Sequence, residues 1–192
     1  MGSLDNPVYV MLPVRTGAAK AEAAALAQEA TRRLSDQGID HPADQLVALI
    51  RSQATVTGLY EDSELTGCLV VHPGEDLPHW CRDLGPGVAV SLVPPVPGHD
   101  DQAVRLLTLW LADHAAQHGL EWVWWGLPAA FETRPTLLVS LRDFGWEDLP
   151  AVRRADGERV TPLRLRAERR PASSVVISAA DDALPLPKVI AR

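Results

Sequence analysis

The sequence predicts an α/β domain: a mixed, mostly antiparallel central sheet of about seven strands with helices on both faces. Three observations lead there. Short β-branched and apolar runs alternate with longer segments at helical spacing. Several links between strand candidates are short enough to force antiparallel pairing. Each strand candidate that follows a helix can run parallel to an earlier one. The order read from the chain is β-α-α-β-β-β-α-β-α-β-β.

Val8 to Val14 is apolar and β-branched, and opens as a strand. Ala18 to Leu34 is Ala-rich with helical periodicity and stops near Gly38. Asp40-His41-Pro42 reads as the entry to a second helix that ends near Arg51. Thr55 to Tyr60 and Leu65 to His72 form a hairpin across the polar turn Glu61-Asp62-Ser63-Glu64. Val88 to Val93 is a compact buried-type strand, ended by Pro94, Pro95 and Pro97. Asp100 to His118 is the clearest helix, with Val104, Leu107, Leu111 and Ala115 on one face and Gly119 as its stop. Trp122 to Leu127 is a strand and Thr136 to Phe144 a short helix closed by Gly145. Leu149 to Ala155 and Arg159 to Arg166 flank Asp156-Gly157, a strong hairpin signal. Residues 1–168 read as one domain. Residues 169–192 read as a tail, disordered or laying a strand on a sheet edge near Val175 to Ile177.

With 192 residues the chain can bury a core without staples. Its two cysteines, Cys68 and Cys81, make no disulfide framework and suit a reducing cytoplasm. No stretch approaches the roughly 20 apolar residues that span a bilayer, and no signal peptide is expected. The net charge of −7 argues against a chain-wide nucleic-acid footprint. Arg153, Arg154, Arg159, Arg164, Arg166, Arg169 and Arg170 form a local basic group, read as a solvated face or as a contact for RNA or an acidic carrier. Abundant Arg, Ala and Pro beside two lysines point to a GC-rich, bacterial source.

Cys68, His72, His79 and Cys81 fall close together, but their spacing matches no familiar zinc pattern, so no metal is expected. The loop Pro73 to Pro86 carries Glu75, Asp76, His79 and Trp80. Strand alternation puts Trp122 and Trp124 on one face and Trp125 on the other, as core filling or as a wall for a planar group.

Three stretches, in their order and spacing, resemble the GNAT superfamily of N-acyltransferases. "TVTGLYEDSELTGCLVV" resembles its second and third strands with their acidic hairpin. "GVAVSLVPP", then Gly98 and a long helix, resembles its fourth strand, diphosphate loop and third helix. "LLVSLRDFGWE" resembles its ending "YEKLGF". The resemblance implies a fourth strand splayed from the fifth, with acetyl-CoA or another acyl-CoA in the opening. Leu92, Val93 and Pro94 would then face the pantetheine, and Gly98, His99, Asp100, Asp101, Gln102 and Ala103 would form the diphosphate loop. It also places the loop with Glu75 and Trp80, together with Trp125, near the acceptor, and leaves His72 and His79 as candidate general bases.

The chain departs from the family in three places. Asp100 and Asp101 sit where a diphosphate would lie. Leu141 occupies the place of the Tyr that protonates the leaving thiolate. Gly87 to Val93 holds no carboxylate to serve as base. Three readings stay open: transfer from acyl-CoA to an amine of a small molecule or protein; a GNAT-fold enzyme with an acyl-carrier-protein or tRNA-bound donor; or a non-catalytic binder of a ligand or partner. The chain is expected as a monomer or homodimer.

Overall fold

The computed structural model describes residues 8–38, 43–52, 55–72, 86–93, 102–128, 135–153, 157, 159–170 and 177–179. In chain order the elements are β1 (Tyr9–Pro13), α1 (Gly17–Asp36), α2 (Ala43–Arg51), β2 (Thr55–Glu61), β3 (Glu64–His72), β4 (Gly87–Leu92) and α3 (Gln102–Gln117). They continue with β5 (Trp122–Pro128), α4 (Pro135–Asp143), β6 (Trp146–Asp148), β7 (Val152–Arg153), β8 (Arg159–Arg166) and β9 (Ile177–Ala179). One sheet runs β6-β8-β5-β4-β3-β2-β1-β9, with β7 also paired to β8. Its ladders are antiparallel except β4–β5 and β1–β9.

The expected order holds, but among the described residues the sheet has nine strands rather than about seven. The run from Leu149 to Ala155 is not one strand. Pro150 has no N–H for a ladder, and pairing to β8 divides into β6 before it and β7 after it. β9 supplies the other addition, pairing Tyr9 with Ile177 through Met11 with Ala179.

Local chemistry sets the boundaries. The Thr16 hydroxyl accepts the Ala19 N–H at 3.1 Å and caps α1. The β2–β3 link is a two-residue turn with Asp62 at φ 48° and Ser63 at φ 77°. Positive φ at both positions is the primed geometry that matches strand twist. The cost at Asp62 is offset by two bonds to Val8, just before β1: its N–H donates to the Val8 carbonyl and its carboxylate accepts the Val8 N–H, both at 3.1 Å.

The two sheet faces are covered differently. An added Cβ on Gly67 would lie 3.1 Å from Leu107 and 3.3 Å from Ala103, so the Gly67, Leu69 and Val71 face lies against α3. Register carries that face through Val90, Trp125, Leu163 and Trp146. Trp146 donates its indole N–H to the Thr108 hydroxyl on α3 at 3.0 Å and meets Trp125 edge-on at 5.7 Å. Tyr60 and Cys68 belong to the opposite face, toward α1, where burial first, then the Glu22 and Cys68 charges, raise the Tyr60 phenol.

Cys68 is fully buried, and that burial pushes its thiol from an ordinary 9.0 to about 12. The folded state therefore holds its proton where the unfolded chain releases it. Its stabilising effect is complete below about 9 and is lost as pH rises toward about 12. Denaturant midpoints should fall more steeply over that window for the wild type than for Cys68→Ala. Equal slopes would remove Cys68 from the account.

After β8 the chain crosses α3. Glu168 N–H donates to the Ala112 carbonyl at 3.0 Å, and Arg170 N–H donates to the buried Asp113 carboxylate at 2.6 Å. Gln117 also donates to Asp113, at 2.6 Å. This strap leads to β9 on the far edge of the sheet.

Candidate functional site

The central feature is where β4 and β5 part. They pair from Gly87↔Trp122 to Val90↔Trp125, and the register ends there. Neither strand stops. β4 stays bonded to β3 through Leu69↔Leu92, and the Val93 N–H reaches the Cys68 carbonyl at 3.2 Å. β5 stays bonded to β8 through Gly126, Leu127 and Pro128. The sheet is thus split at its centre, with Ser91 and Leu92 on one lip and Gly126 and Leu127 on the other.

Backbone alternation identifies what the β4 lip offers. Val93 donates toward β3, so Ser91 faces β3 as well, and Leu92 turns its N–H and C=O toward the split. An extended ligand with amide groups can add there as a strand would. The Leu92 side chain is buried beneath α3 and contributes packing.

On the face away from α3, His72 and Ser91 meet at the start of the split. His72 Nε2 and Ser91 Oγ are 2.8 Å apart, and both residues are partly exposed. Beside them, Trp124 and Ala89 form a small separate cluster flanked by Trp122 and Leu149. The Arg164 guanidinium lies 4.6 Å over the Trp122 ring and pairs with Glu147 at 2.7 Å. Four of the clustered arginines therefore have local partners: Arg164 on Trp122 and Glu147, Arg153 donating to the Gly157 carbonyl at 3.3 Å, Arg169 beside Asp113 at 3.4 Å and Arg170 beside Glu168 at 3.5 Å.

The candidates read from the sequence are placed unevenly. His72, Leu92 and Val93 gather at the split. Gln102 and Ala103 open α3, and Ala103 packs against Gly67 of β3. Trp125 is 3% exposed, on the α3 face, with its ring edge-on to Trp146, which is the core placement of its two readings. His79, Glu75, Trp80, Pro94, Gly98, His99, Asp100 and Asp101 lie outside the described residues.

Leu141, where the resemblance in sequence would put a Tyr, is 1% exposed on α4 and packs in the main core. Arg142 beside it forks onto Asp148 of β6 at 2.7 and 2.9 Å, which holds the Asp148 carboxyl below its usual range. α4 is thereby tied to the sheet through a residue with no acid function. Ser91 was not singled out in the sequence. A serine within an apolar strand is the available signal, and it gains meaning once register sets it against His72.

The described residues thus form a mixed sheet split at its centre, with α3 connecting the two parted strands. The sequence matches no protein-family profile and no curated protein. The likeness lies in solved structures. An acetyltransferase of the GNAT family from Listeria monocytogenes superposes with a TM-score of 0.54 at 11% identity, over 83% of this chain and 100% of the other. An N-acetyltransferase from Staphylococcus aureus gives 0.53 at 12%, over 83% and 98%. An N-acyl amino acid synthase from uncultured soil microbes gives 0.52 at 13%, over 91% and 97%. The chain has the GNAT fold.

Proposed function

We propose that the protein transfers an acyl group from a thioester, acetyl-CoA or another acyl-CoA, to an amine of a small molecule or protein. The observation that carries this is the end of β4–β5 pairing at Val90↔Trp125 while both strands continue. Pantetheine is an extended chain with two amides, and the Leu92 backbone faces the opening that would receive it. Val93 continues that lip. The backbone amides at the start of α3, near Gln102 and Ala103, form the helix's positive end and favour an anion.

Asp100 and Asp101 in the approach to α3 favour a second donor class. An acyl carrier protein presents the same pantetheine without a diphosphate of CoA in that loop. Leu141 bears on the proton, since the thiolate's usual acid is replaced by a buried leucine.

The test is ligand-dependent stability. A donor at about 100 times its Kd should raise Tm by on the order of 5–10 °C. Acetyl-CoA, a longer acyl-CoA and an acyl carrier protein form the series. Absence of a shift with all three would remove the reading, and a shift with the carrier alone would select the second donor.

A further inference from the structure

Resting on the thioester reading above, we infer that Ser91 is a nucleophile activated by His72, so that the acyl group passes through an ester on the protein. The geometry supplies three parts. Ser91 Oγ lies 2.8 Å from His72 Nε2, the contact of a nucleophile with its base. Ser91 is the first β4 residue beyond the last pair with β5, so its hydroxyl stands at the root of the split. The next residue, Leu92, turns its N–H into the same opening, where it can donate to a carbonyl oxygen as that oxygen gains charge.

The step balances on these groups. The Ser91 oxygen attacks the thioester carbonyl and its proton passes to His72 Nε2. The C–S bond breaks as the C–O bond is completed, and the imidazolium returns the proton to the departing thiolate. The products are O-acyl-Ser91 and free thiol. An amine, or water in its absence, then attacks the ester with His72 again taking and returning a proton. One imidazole thus does in sequence what a separate base and acid do elsewhere. That accounts for a β4 without a carboxylate and for Leu141 buried at the acid position.

The experiment uses the full chain with acetyl-CoA and no acceptor, followed by intact-mass and peptide mass spectrometry. A fluorophosphonate, which traps activated serines irreversibly, is used in parallel in case the ester turns over quickly. The expected result is one acetyl group, or one phosphonyl group, on the Ser91 peptide, with thiol release. Ser91→Ala should abolish both adducts. His72→Ala should slow phosphonylation by roughly 100-fold or more. Both variants are compared with wild type by thermal unfolding, so that misfolding is seen as such. If acetyl-CoA stabilises the protein yet neither probe marks Ser91, the inference falls and the transferase reading stands. The same follows if Ser91→Ala keeps full turnover, since the 2.8 Å contact then only ties β3 to β4. Failure of every thioester to bind overturns both.

Discussion

Trp146→Ala is expected to destabilise the protein by about 3–5 kcal/mol, the range for removing a large buried aromatic. The residue is 2% exposed and joins three elements: it sits in β6, packs edge-on against Trp125 of β5 and donates to Thr108 of α3. Truncation leaves a cavity between sheet and helix and withdraws the donor from a fully buried hydroxyl. The Thr108 oxygen then loses a partner away from water, which adds to the cavity cost. Trp146→Phe should fall between, because much of the volume stays while the hydrogen bond goes. Urea unfolding monitored by far-UV circular dichroism measures both. A loss below about 1 kcal/mol for the alanine variant would mean that the α3 contact is not the anchor described.

Gly87→Ala should also destabilise the protein although it adds only one carbon. An alanine Cβ would lie 2.2 Å from the Trp124 indole nitrogen and 2.7 Å from the Trp122 carbonyl oxygen. The first contact involves a ring that is 1% exposed and cannot swing clear, and the second is backbone. Overpacking of this kind costs about 1–3 kcal/mol and occasionally more. Relief would come by moving β5 away at the Gly87↔Trp122 pair, where the paired part of the β4–β5 ladder begins. The expected signature is a lower Tm together with altered ligand binding, because the paired segment that leads into the split is displaced. A stable Gly87→Ala variant with unchanged affinity for thioesters would show that the paired end of β4 does not position the open end.

Most of the element order was legible because it rests on local rules. Periodicity located α3, and Gly119 marks its end with φ 75°. Polar turn residues marked the β2–β3 hairpin. Asp156-Gly157 marked the last one, where Gly157 takes φ 86° and Arg153 pairs with Arg159. What escaped depends on partners distant in sequence. β6 begins on Trp146, immediately after a helix-ending glycine, and is held as a strand by β8. β9 has three residues, too few for a pattern, and is defined by β1. The same limit hid the Ser91–His72 pair. The two lie on strands separated by residues 73–86 of the sequence, a length that does not fix register, so no reading of one strand could set Ser91 diagonally across from His72. The split itself was expected only through resemblance, since a strand that leaves its neighbour has the same alternation as one that stays.

The strap over α3 has a mechanical meaning. Arg166 is paired to Trp122 of β5, and Ile177 to Tyr9 of β1 at the other margin. From β8 to β9 the sheet order counts six interstrand intervals, a width of about 29 Å if the ladders were all closed. The backbone joining them reaches at most about 40 Å when drawn out, and it is already fastened to α3 at Ala112 and Asp113. Ala112 and Asp113 thereby tie the backbone after β8 to the helix that connects the two parted strands.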